Sequence, residues 1–109
     1  MTLQKYKDVN QAIALLSQRG YNLQFSLRSL GLYSRGTNRY YQQKDLTIDE
    51  LYRFRNPKES AFDTILFAIT CVDGSKGIIK SPGGDTPDLN LLSFMDKVKI
   101  KEWQNMSWL

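Results

Sequence analysis

Apolar residues recur at Val9, Ala12, Ile13 and Leu16, the spacing of a single helical stripe, and Leu15 widens it. Asp8 just ahead is a good N-cap, with Gln11 placed to reach back in capping-box fashion. Gly20 suits the left-handed position after the last turn, and Tyr21 can pack back onto that turn. The pattern predicts a helix over about 8–19. The period then changes to two: Tyr21, Leu23, Phe25 and Leu27 alternate with Asn22, Gln24, Ser26 and Arg28, which reads as a strand over about 22–28. From Leu30 to Lys44 the pattern breaks around Gly31, Gly36 and a polar middle. A long exposed loop is expected there, with room for a short strand or turn.

A second strand is expected over about 47–55, with Ile48, Glu50, Tyr52 and Phe54 on one face and Asp49, Leu51, Arg53 and Arg55 on the other. Asn56-Pro57 ends it, and 58–63 is a polar loop. Residues 64–72 are apolar on both faces and rich in β-branched and aromatic types, as in a central strand. Asp73-Gly74 signals a two-residue hairpin turn into a return strand over about 76–81. That turn sets Ile69 opposite Ile78, Ala68 opposite Ile79 and Phe67 opposite Lys80. One face then carries Ile65, Phe67, Ile69 and Ile78, and the other Leu66, Ala68, Thr70 and Ile79. Small Ala68 and Thr70 mark the second as the helix side. Thr86 as cap and Pro87 at the first helical position open a last helix over about 87–97, striped by Leu91, Leu92, Met95 and Val98. The expected fold is a single α+β domain over 1–109 with two layers. A mostly antiparallel four-stranded sheet carries both helices on one face, and its last three strands form a meander. The tail from about 99 to 109, with Trp103 and Trp108, is expected to be extended or to contact a partner.

Composition narrows the chemistry. The 109 residues are 41% hydrophobic and 24% charged, the usage of an ordinary globular domain. Histidine is absent and Cys71 is the sole cysteine, which excludes Cys/His pairs, most hydrolase triads, disulfide frameworks and the usual zinc sites. Cys71, within an apolar strand and without a basic neighbour in sequence, reads as a buried, inert thiol. No stretch is long and apolar enough for a bilayer span, and no secretory signal opens the chain, so a cytoplasmic location without membrane contact is expected. No cofactor or metal motif is legible.

Net charge is +4, and it is concentrated: residues 19–58 hold eight cations against three carboxylates. Within that stretch Arg35, Arg39, Tyr40, Tyr41 and Lys44 cluster, with Arg53 and Arg55 shortly after. Cations for phosphates and rings for bases are the composition of a surface for single-stranded nucleic acid. Two other features carry less. Ser81-Pro82-Gly83-Gly84-Asp85-Thr86-Pro87 joins a strand to a helix, where phosphates bind, but Asp85 is negative and Pro87 lacks a donor. Asp49 and Glu50, adjacent on a strand, are expected to point to opposite faces and to make structural ion pairs, Asp49 with a cation such as Arg53.

The run Ile48-Asp49-Glu50-Leu51-Tyr52-Arg53-Phe54, then Asn56-Pro57, Phe67-Ala68-Ile69 and Asp73-Gly74-Ser75-Lys76-Gly77-Ile78-Ile79, resembles a family of small bacterial proteins of about this length. The helix end Arg19-Gly20-Tyr21 is similar too. Members are frequently labelled phosphoribosylpyrophosphate synthetase. By order of motifs the likeness covers roughly 8–98. Phe67 stands where the family usually has tyrosine, and 31–44 and the tail have no clear counterpart. The resemblance implies helices on a short antiparallel sheet and no established activity. The chain lacks the synthetase's paired-acid diphosphate loop and its histidines, so no catalytic residue is carried over.

Three functions are therefore expected to compete. The first is a non-catalytic binding or regulatory module, self-associating or meeting a protein partner through an uncovered sheet face bearing Phe67, Ile69 and Ile78 and through Trp103 and Trp108. The second is single-stranded nucleic-acid binding through the basic and aromatic 35–55 region. The third is a small enzyme acting on a phosphorylated ligand at 82–86.

Overall fold

The first helix forms where its stripe predicts. In the computed structural model, which describes residues 6–55, 62–85 and 88–101, α1 spans Val9–Gln18. The Asp8 carboxylate accepts from the Gln11 amide at 2.8 Å, and the Gln11 side chain accepts from the Lys7 amide at 2.7 Å. At the other end the Tyr21 amide donates to the Leu16 carbonyl and the Gly20 amide to that of Ser17, the paired bonds of a Schellman motif. Ala12 and Leu16 are fully buried.

Seven strands follow: β1 (Leu23–Arg28), β2 (Gly31–Ser34), β3 (Arg39–Tyr41), β4 (Leu46–Phe54), β5 (Thr64–Cys71), β6 (Lys76–Ser81) and β7 (Lys99–Ile100). A 3₁₀ turn, Gln43–Asp45, precedes β4, and α2 spans Leu89–Met95 between β6 and β7. The spatial order is β3-β2-β1-β6-β5-β4-β7. The β1–β6 and β4–β7 pairs are parallel and the other neighbours antiparallel. The chain passes from β3 to β4, five places along the sheet, in the short segment 42–45. Flat, those five places would measure roughly 24 Å, whereas the connection spans at most about 18 Å. The sheet must therefore curl, and it forms a half-barrel. Its concave side is filled by the larger core, in which Phe25, Leu32, Tyr41, Leu46, Ile48, Phe67, Ile69 and Ile79 meet Leu91, Met95 and Val98 from α2 and the turn after it. On the convex side α1 packs over β4–β6, against Tyr52, Leu66, Ala68 and Ile78.

The two-layer, four-stranded expectation is thus corrected: the fold is α+β, but the sheet is mixed and seven-stranded, with the helices on opposite faces. Three local events produce the difference. First, 31–41 forms a hairpin whose Leu32, Ser34 and Tyr41 are buried, so the expected loop contributes two strands. Second, the β5–β6 hairpin has three loop residues, not two. The Gly74 amide donates to the Cys71 carbonyl, the Cys71 amide to that of Ser75, and Gly74 takes φ +90°, as in a type I turn closed by a glycine bulge. Phe67 therefore pairs with Ile79 and Ala68 with Ile78, and this one-residue slip exchanges the faces of β6. Third, β4 has a bulge at Asp49, between the Ile48–Ile69 and Glu50–Ala68 pairs. Ile48 enters the concave core while Tyr52 and Phe54 pack on the convex side.

The uncovered apolar face does not form. Phe67 and Ile69 are buried in the concave core, and Ile78 is buried under α1. Gly77 admits β1 beside β6, since a Cβ there would stand 2.5 Å from the Leu23 carbonyl oxygen. The last helix begins at Leu89, capped by Asp88, whose carboxylate accepts from the Leu91 amide at 3.1 Å. The expected start at Thr86-Pro87, the stop at Asn56-Pro57 and the tail with Trp103 and Trp108 lie outside the described residues. Among the described residues no helix is long and apolar enough to cross a membrane.

Candidate nucleic-acid interface

Among the described residues, none of β1, β2 or β3 belongs to the core beneath α1, and no described helix lies over the convex face of these strands. Strand alternation decides what stands there. Burying Phe25, Leu32 and Ser34 turns Gln24, Ser26 and Arg28 of β1, Tyr33 of β2 and Tyr40 of β3 outward, with Arg35 following at the end of β2. The register puts Ser26 opposite Tyr33 and Tyr33 opposite Tyr40, which makes a cross-strand row.

The row is ordered by its own contacts. The Tyr33 and Tyr40 rings lie with centroids 5.0 Å apart at 48°. The Arg28 guanidinium sits 4.4 Å from the Tyr33 centroid, within cation–π range. The Tyr33 hydroxyl donates to Asn38 Oδ1 at 2.9 Å. Tyr40 stays 43% exposed, so much of its ring is open to a ligand. A groove of about 650 Å³ runs beside the row, lined by Gln24, Ser26, Arg28, Tyr33 and Arg35 among others. Neither Arg28 nor Arg35 forms an ion pair among the described residues.

The structure brings together only part of the basic and aromatic set read from the sequence. Arg35 and Tyr40 belong to the row. Tyr41, the next residue, faces the concave core, 3% exposed and edge-on to Phe25 at 6.0 Å, and is lost as a stacking ring. Arg39 pairs with Asp73 at 3.0 Å. The Tyr41 hydroxyl donates to the same Asp73 oxygen at 2.9 Å and shares a hydrogen bond with Thr37. The Ser75 amide first, then the Ser75 side chain, Tyr41 and Arg39, hold the Asp73 carboxyl down at about 2. Lys44 is exposed on the 3₁₀ turn and does not line that groove. Arg53 and Arg55 stand at the far end of β4, roughly 25 Å along the strand from that turn, and Arg53 lies 3.7 Å from Asp63. Sequence reading missed Arg28 and Tyr33. The signal for them was present: pairing 31–34 with 23–28 as alternating strands places both beside Tyr40.

The remaining candidates are occupied structurally. The Gly83 amide donates to Thr64 Oγ1, and Gly84 exchanges both backbone hydrogen bonds with Phe62, so these amides do not face outward for a phosphate. Asp49 and Glu50 both engage groups on the α1 side, because the bulge cancels the alternation that would separate them. Asp49 accepts from the Tyr21 hydroxyl at 2.7 Å and from Thr70 Oγ1 at 2.6 Å. Glu50 takes the Arg19 guanidinium, with Nη1 at 2.9 Å, and the Tyr52 hydroxyl. Arg19, not Arg53, is the cation of this network. Burial and the neighbouring carboxylates push the Tyr21 and Tyr52 hydroxyls above the ordinary phenol range, and the Glu50 hydrogen bond raises Arg19 further. Burial, then Asp73 and Asp45, pushes the Cys71 thiol up to about 12, leaving it protonated near neutrality. Compared with known proteins, the chain matches no protein family, no curated protein and no solved structure.

Proposed function

We propose that the protein is a non-catalytic binding module that takes single-stranded nucleic acid across the convex face of β1–β3. The observation that supports this reading best is the Arg28–Tyr33–Tyr40 row, flanked by Arg35, on a sheet face that no described helix covers. Exposed rings stack on bases of any identity but only where the bases are unpaired, which selects single strands over duplex. Arg28 and Arg35 supply cations for adjacent phosphates. Self-association through Phe67, Ile69 and Ile78 has no surface to use, because all three are buried.

The test is fluorescence anisotropy with a labelled single-stranded RNA at rising salt. Micromolar binding is expected, with log K falling against log salt at a slope of about −1.5 to −2, as two or three phosphate contacts require. Tyr40→Ala should weaken binding by about 1–3 kcal/mol, the worth of one stacked base. Absence of binding at about 20 mM salt, where the electrostatic contribution is largest, would sink the proposal.

A further inference from the structure

A second groove, of about 510 Å³, lies where the end of β1, the 3₁₀ turn and α2 meet. Arg28 lines both grooves, so the two adjoin at its side chain. The lining of the second groove includes Gln43, Asn90, Ser93, Phe94 and Lys97, and among the described residues no carboxylate. Lys97, like Arg28, forms no ion pair among the described residues. The Gln43 and Asn90 amides and the Ser93 hydroxyl take part in no hydrogen bond among those residues. Phe94 packs against the concave core yet keeps part of its surface on the groove.

These are the groups a nucleotide needs, and the amides add something the tyrosine row lacks. A ring stacks on any base, whereas a carboxamide, donor and acceptor side by side, matches the adjacent amino group and ring nitrogen of adenine. We infer that this groove takes a further nucleotide of the strand bound on β1–β3, with a phosphate between Arg28 and Lys97 and an adenine base against Phe94, and that Gln43 and Asn90 read the base edge. The inference rests on the nucleic-acid reading above and adds to it a place where sequence is read.

The experiment compares oligo(A), oligo(U), oligo(C) and oligo(G) RNA of equal length at one salt concentration, on the wild-type chain and on Asn90→Ala, Gln43→Ala and Lys97→Glu. Oligo(A) is expected to bind the wild type at least about fivefold more tightly than oligo(U), the low end of what one amide–adenine contact discriminates. Asn90→Ala and Gln43→Ala should each bring that ratio below about twofold by weakening oligo(A) more than oligo(U), which separates edge reading from the stronger stacking of purines. Lys97→Glu should lower the salt slope by about 0.7 or more on every oligomer. Equal affinity for all four oligomers, or a preference for A that survives both amide variants, overturns this inference and leaves the β1–β3 proposal standing. Failure of every oligomer to bind overturns both.

Discussion

Asp49 and Glu50 show how far a single residue can be read. Their charge and adjacency were legible, and so was the expectation that they hold structure together. Their direction was not, because a bulge leaves no mark in composition and reverses the face of one neighbour. The result is a latch in which Glu50 joins Arg19 at the end of α1 to Tyr52 on β4. Glu50→Ala strips the acceptor from the buried Tyr52 hydroxyl. Urea unfolding should report a loss of about 1–3 kcal/mol, with RNA affinity unaltered because the latch lies outside both grooves. The same blindness at single residues separated Tyr40 from Tyr41: both look alike in sequence, yet one faces solvent and the other the core.

At the level of elements, segments with a long repeat were legible and short ones were not. The first helix, β1, β4, β5 and β6 all fall within a residue or two of their expected bounds, since each carries enough apolar positions to fix its period. β2, β3 and β7 have four, three and two residues, too few for a period to stand out, and β3 is recognised only through its partner. Register depended on a turn whose length the Asp73-Gly74 pair did not settle. The three-residue loop needs Gly74 in the left-handed region, while a Cβ there would meet no atom within 4 Å. Gly74→Ala should therefore cost only the backbone term, about 1–2 kcal/mol by chemical denaturation, without altering the fold. A much larger loss would mean that the site is crowded.

For the whole molecule, the sequence-local meander β4–β5–β6 was legible, and the parallel β1–β6 pair that joins it to the β1–β3 hairpins was not. That pair brings distant segments together, and no local pattern announces it. Helix placement followed the same fate: once β6 exchanged faces, apolar residues lay on both sides of the sheet and each side required a cover. Leu32 tests this architecture. It is fully buried in a segment expected to be an exposed loop, so Leu32→Ala should cost about 2–5 kcal/mol in a denaturant titration, against well under 1 kcal/mol for a loop position. Of the proposed interface, the mixture of cations and rings was visible in the sequence. Its assembly into one row depended on strand pairing that becomes apparent only in three dimensions.

The clasp at Asp73 has a mechanical corollary. The short strand that carries Tyr40 outward is pinned from within by Arg39 and Tyr41 to the turn between β5 and β6. A load on the outward ring would thus pass to the three residues that tie this strand to the β5–β6 turn. A ligand held by that ring and the curl of the half-barrel would then rest on one ribbon, and loosening either would slacken the other.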